Sequence, residues 1–146
     1  MSETSHWTTR KLEQAVSEIM GVANDNAFKA RIENLARKGL IGTGAGRGTV
    51  ARHSTRTALD VLIALHLGRV GVSPAHSVTA LIEGKHEIDA ALEDEKPCVY
   101  MVGRRDTLAQ PFITRWASSR SMTHIYIDLD YLVELLRGQE MRLKLP

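Results

Sequence analysis

Ten residues constrain the fold more than any others. The run Ala58-Leu59-Asp60-Val61-Leu62-Ile63-Ala64-Leu65-His66-Leu67 has helical length and is apolar on nearly every side. A helix of that kind is either wrapped by the rest of its own chain or faces a partner. It is too short to span a bilayer, which takes about 18–20 apolar residues. Ser54 and Thr55 are suitable caps before it and Gly68 a suitable stop after it. At 146 residues with 43% hydrophobic and 25% charged side chains, the chain has enough apolar material to enclose such a helix. The N-terminal stretch Met1-Ser-Glu-Thr-Ser-His-Trp7 lacks the apolar core of an export signal, so a cytoplasmic location is expected. One cysteine, Cys98, excludes an internal disulfide framework and a cysteine-cluster zinc site.

Helical periodicity dominates the segments around that run. Leu12, Ala15, Val16, Ile19 and Met20 share one face of a helix that Thr8 or Thr9 can cap and Gly21 can end. A second helix starts near Asn24 and Asp25 and turns Phe28, Ile32, Leu35 and Ala36 inward. Its outward side carries Lys29, Arg31, Asn34, Arg37 and Lys38, and Gly39 stops it. After the apolar run, Ser73-Pro74 opens a fourth helix with Val78, Leu81 and Ile82 inward, ending at Gly84. A shorter helix is expected from about Glu87 to Glu93, with Ile88, Ala91 and Leu92 inward.

Beyond Glu93-Asp94-Glu95-Lys96-Pro97 the period changes from helical to alternating. Cys98–Val102 reads as a strand, and so does Thr123–Leu129, with Ile125, Ile127 and Leu129 on one face. Asp130 can cap a last helix from Tyr131 to Arg137, stopped by Gly138. Phe112, Ile113 and Trp116 suggest that the intervening segment packs on the sheet. The expected architecture is mainly α: an N-terminal winged helix-turn-helix over residues 5–84, and a small α/β C-terminal unit over residues 97–146.

Between the second helix and the apolar run lies Gly42-Thr-Gly-Ala-Gly-Arg-Gly-Thr49. A Walker loop needs Gly-Lys followed by Ser or Thr, and a dinucleotide fingerprint needs a preceding strand and a later third glycine. Neither is met. A β-hairpin wing fits better, with Leu40–Ile41 leading in, glycines at the tip and Thr49-Val50-Ala51 returning. A plain surface loop is the alternative.

Charge adds a direction. Residues 1–56 hold nine Lys/Arg against five acids, residues 57–96 three against seven, and residues 97–146 seven against five. A basic N-terminal region suits a polyanion, and the acidic middle would be turned away from it.

The string Leu35-Ala-Arg-Lys-Gly-Leu-Ile41, the glycine-rich stretch with Arg47 and Arg52, and Ser54-Thr55-Arg56 opening an apolar helix resemble the mercury-resistance (MerR) type of regulator. The resemblance covers roughly residues 8–83. It implies a recognition helix, a wing and a following helix, hence double-stranded DNA as partner and a role in transcription regulation. The chain departs from that family in its long second helix directly before the glycine and in lacking a C-terminal coiled coil. Operator architecture and inducer therefore do not carry over. The chain also resembles small helix-turn-helix proteins of temperate phages.

On that reading, Asn26, Lys29, Arg31 and Asn34 read bases, since arginine suits guanine and asparagine suits adenine. Arg10, Lys11, Lys38, Arg47, Arg52 and Arg56 hold phosphates. A homodimer is expected, through spare apolar surface on the third helix or through the strands Cys98–Val102 and Thr123–Leu129 pairing across an axis. The bland reading of the same basic face is a solvated helix surface.

No enzyme or cofactor chemistry is expected. His6, His53, His66, His76, His86 and His124 are scattered without a ligand-pair spacing. His66 reads as a core histidine and Cys98 as an inert thiol. Asp128 and Asp130 invite a metal reading that capping by Asp130 explains more simply, and Arg104-Arg105-Asp106 with Arg115 to Arg120 reads as a salt-bridge set. Two rivals remain: a protein-interaction adaptor such as a phage packaging or assembly factor, and a small enzyme or ligand-binding protein using the C-terminal arginines and His124.

Overall fold

The computed structural model describes residues 5–42, 51–103, 111–116 and 124–145. The elements in chain order are β1 (Ser5–Thr8), α1 (Thr9–Met20), α2 (Asn26–Arg37), β2 (Arg52–Ser54), α3 (Thr55–Arg69), α4 (Pro74–Glu83), α5 (Lys85–Leu92), β3 (Cys98–Val102), β4 (Phe112–Thr114), β5 (His124–Asp128) and α6 (Leu129–Arg142). The fold is mainly helical, with two small antiparallel sheets. No described helix is long and apolar enough to cross a membrane.

The chain divides into two compact units. One comprises residues 1–62 and 133–146, the other residues 63–132. Both α3 and α6 begin in one unit and end in the other.

In the first unit, local chemistry accounts for the helix ends. Thr8 accepts from Lys11 N at 3.2 Å to cap α1, and Gly21 closes it at φ +67°. Asp25 Oδ1 accepts from Phe28 N at 2.9 Å to cap α2. Leu12, Ala15, Val16, Phe28, Ile32 and Leu35 form the buried faces, as the periodicity requires.

The expected wing differs. Gly39 adopts φ +95°, its N–H bonds to Ala36 O at 3.0 Å, and Leu40 N reaches Leu35 O at 3.1 Å. These bonds satisfy the last carbonyls of α2. Leu40 and Ile41 thus finish a helix instead of starting a strand, and Ala51 lies outside any strand. Thr49, Val50 and the glycine-rich tip lie outside the described residues. The strand that does form is β2, and its partner is β1, with Thr8 opposite Arg52 and Trp7 opposite His53.

The apolar run lies in α3 as expected, and Ala58, Leu59, Val61, Leu62 and Ile63 are at most 1% exposed. The chain buries these side chains itself, so α3 has no spare apolar surface for a dimer contact. Gly68 does not end it. Closure comes at Gly71, φ +92°, with Val72 N on Leu67 O at 3.0 Å.

In the second unit, Ser73 caps α4 and Pro74 takes its first turn. Val78 and Leu81 are buried, but Ile82 is 52% exposed, on the side of α4 turned to solvent. The sheet order is β4-β3-β5, and β4 and β3 pack against α4 and α5. Val99, Met101, Ile113 and Ile127 point into that core. Trp116 is 72% exposed and does not pack on the sheet. Asp128 Oδ1, not Asp130, caps α6 by accepting from Tyr131 N at 3.0 Å. The helix then runs on through Gly138 to Arg142, because burial of Leu132, Val133 and Leu136 holds it in register.

Candidate nucleic-acid interface

The described basic residues expected to meet DNA lie in the first unit, on α1, on α2 and its C-cap Lys38, on β2 and at the start of α3. Arg47 lies outside the described residues. The others are not equivalent, and helix geometry separates them.

On α2 the buried residues Phe28, Ile32 and Leu35 define the underside. Arg31, Asn34 and Lys38 then fall within about 60° of one another at 100° per residue, on one flank. Arg31, Lys38 and Asn26 are exposed and Asn34 is half-buried. Lys29 sits about 160° from Arg31 and belongs to the opposite flank. There it lines a groove of about 370 Å³ with Leu12, Glu13, Ile32, Ala36 and His53. Burial pushes the Glu13 carboxyl above its ordinary range, and the Lys29 ammonium brings it part-way back. The expected base-reading set thus splits: Arg31 and Asn34 share a flank with Lys38, while Lys29 is set against Glu13 and Asn26, about 140° from Arg31, lies on the Lys29 side. Exposed Glu33 lines the Lys29 flank as well.

The pairing of β1 with β2 gathers a second group. Because Thr8 lies opposite Arg52, the exposed Arg52 stands across the ribbon from the start of α1, where Arg10 and Lys11 follow. Thr9 Oγ1 and His53 Nε2, 3.0 Å apart, fasten the same junction. Burial lowers the His53 pKa, which favours the neutral form of the ring. Both Thr9 and His53 line the groove beside α2, which brings β2 to that helix. Sequence reasoning had no way to foresee this cluster, since it depends on pairing across some 44 residues.

Arg56 stands apart. It is half-buried and its guanidinium pairs with Asp60 one helical turn on. Its charge is thereby held within α3. A further group unites distant parts of the chain: Thr55 Oγ1 donates to Glu140 Oε1 at 2.6 Å, and His6 Nε2 lies 3.2 Å from the same oxygen. No local sequence signal marks a contact between residues so far apart.

The remaining chemistry-bearing residues do not converge. Among the described residues, no group of three or more His, Cys, Asp or Glu is placed to hold a metal ion. Cys98 is a half-buried free thiol at the start of β3. Arg115 pairs with Asp94 and lies over the Trp116 ring at 5.1 Å; Arg104, Arg105, Asp106 and Arg120 lie outside the described residues. No protein-family model matches the chain, and no curated protein does.

Proposed function

We propose that the protein binds double-stranded DNA in a sequence-specific manner as a bacterial or phage transcription regulator, two copies reading two half-sites. The observation that carries this reading is the Arg31–Asn34–Lys38 flank of α2; the Thr8–Arg52 register adds Arg52 near the start of α1, where Arg10 and Lys11 follow, on the groove side of α2. A helix presenting arginine and asparagine from one edge suits the major groove, where guanine O6 and N7 accept from arginine and adenine N7 accepts from asparagine while adenine N6 donates to it. Cations on a neighbouring ribbon supply the backbone contacts that set its register. The arrangement supports a helix-and-ribbon reader of winged helix-turn-helix character, in which β1–β2 takes the place of a hairpin wing.

The test is selection from a pool of random duplexes at two salt concentrations, followed by sequencing. The expected result is a recovered palindrome. Four phosphate contacts per copy, from Arg10, Lys11, Lys38 and Arg52, give a log–log salt slope of about −3.6 per copy. Uniform weak binding to every duplex, or none at low salt, rejects the reading.

A further inference from the structure

We propose that the protein forms a symmetric dimer by antiparallel pairing of β5 with β5 of a second copy, centred on Tyr126. Three observations combine.

Among the described residues β5 is an edge strand: the sheet order is β4-β3-β5, and β5 pairs only with β3. Natural sheets guard such edges with short strands, proline, lysine or bulges. The opposite edge, β4, is guarded in this way, being three residues long and preceded by Pro111. By contrast β5 has five residues, no proline, no lysine and an unbroken register with β3 from Cys98–Asp128 to Val102–His124.

Its outward face is also preformed. Tyr126 is 56% exposed, and His124 and Asp128 are exposed beside it. Tyr100 on the central strand supports this row, its ring 5.5 Å from Tyr126 and 5.6 Å from His124. Side-chain positions are therefore set before any partner arrives, which lowers the ordering cost of association.

Finally, the strand is complementary to itself. Antiparallel pairing about Tyr126 sets His124 of one copy opposite Asp128 of the other, twice by symmetry. Half-buried Ile125 meets Ile127 on the inward face, and the two Tyr126 rings meet at the axis. Across each such pair the imidazole N–H of His124 is a donor for the Asp128 carboxylate, whereas like charges directly opposite oppose pairing. A shift by one residue would put the inward isoleucines against the outward row, and centring on Ile125 or Ile127 instead would break both His124–Asp128 pairs. The result is a closed two-fold contact joining two three-stranded sheets into one of six.

This names the contact for the two-copy arrangement proposed above. Oligomeric state is measured without DNA, so either idea can fail alone. Sedimentation velocity across the micromolar range should show a dimer. His124→Asp places two like-charge pairs in the interface and should weaken dimerisation roughly tenfold, while His124→Lys should retain it. In a Cys98→Ser background, Tyr126→Cys should cross-link on mild oxidation and His124→Cys should not, because only position 126 meets its own copy. Circular dichroism confirms that each variant is folded. A monomer throughout the range, a dimer indifferent to His124→Asp, or cross-linking at 124 equal to that at 126 overturns the proposal.

Discussion

The indole Nε1 of Trp7 donates to Thr55 Oγ1 at 3.1 Å, joining the first strand to the first turn of α3 across 48 positions. Trp7 is fully buried, so Thr55 supplies its indole with an acceptor where water does not reach. The same hydroxyl donates to Glu140, so one oxygen links both strand and α6 to α3. Thr55→Val keeps the shape and removes that oxygen. The indole N–H is then left buried without its acceptor, at a cost of about 1–3 kcal/mol. Urea unfolding followed by far-ultraviolet circular dichroism measures it. A loss below half a kcal/mol, about the scale of an ordinary surface substitution, would contradict the role given to Thr55.

Two glycines in helical surroundings should respond in opposite directions to alanine. A Cβ on Gly84 would meet Ile113 Cβ at 2.7 Å and Ala80 O at 2.8 Å. The backbone there is ordinary, φ −88°, so space alone sets the requirement. Gly84→Ala should destabilise by about 1–3 kcal/mol through overpacking. Gly138 lies inside α6 with nothing within 4 Å of a Cβ. Gly138→Ala should therefore stabilise by about 0.5–1 kcal/mol. Thermal or urea midpoints of the two variants, measured side by side, decide the matter.

That contrast shows what could be read from the chain and what could not. Thr8, Gly21, Asp25, Ser73 and Pro74 act on their own helix within four residues, and each marks a helix end in the structure. The alternation in β5 likewise depends only on neighbours, and His124, Tyr126 and Asp128 are exposed as it requires. Gly138 carries the same local signal as Gly21, yet tertiary burial of Leu132 and Leu136 carries α6 through it. Ser5–Thr8 has no strand-like pattern of its own and becomes one only because Arg52–Ser54 comes beside it. The candidate site divides in the same way. The basic flank of α2 was legible from helical period, whereas the approach of Arg52 to Arg10 and Lys11 required a pairing between distant segments. Lys29 and Arg31, two apart in sequence, both count as outward on α2, yet they fall on opposite flanks of it once the buried residues fix its orientation.

Histidine burial should make stability depend on pH. His66 on α3 has its Nε2 buried without a hydrogen-bond partner among the described residues. Burial, and then the Arg69 charge, lower its pKa below the ordinary value of about 6.5. Burial lowers that of His53 as well. In both cases the unfolded chain binds protons at a pH where the folded one does not. The histidine contribution to stability is thus full above about pH 6.5 and falls as the pH drops toward the folded-state values. His66→Leu removes an unsatisfied buried nitrogen and should stabilise by about 1 kcal/mol at neutral pH. Its advantage over the wild type should widen at about pH 5, where the titration works against the wild type. Urea midpoints at both pH values test this, and an advantage that shrinks in acid would refute it.

If the basic flank of α2 reads bases, its residues and the neighbouring cations should fail in different ways. Arg31→Ala and Asn34→Ala should each cost about 1–3 kcal/mol on the selected duplex and relax preference at one position of the site. Lys38→Ala and Arg52→Ala should weaken binding to all duplexes alike and reduce the salt slope by about one each. Lys29→Ala should leave base preference unchanged, because Lys29 faces the Glu13 groove on the other flank. Arg56→Ala should lower thermal stability while leaving the salt slope intact, since Asp60 already holds that guanidinium within α3. Repeating the duplex selection with each variant, and titrating salt on the best sequence, separates these outcomes. Equal loss from Arg31→Ala on every sequence would move Arg31 from base reading to backbone contact, and a lost preference in Lys29→Ala would reverse the assignment of the two flanks.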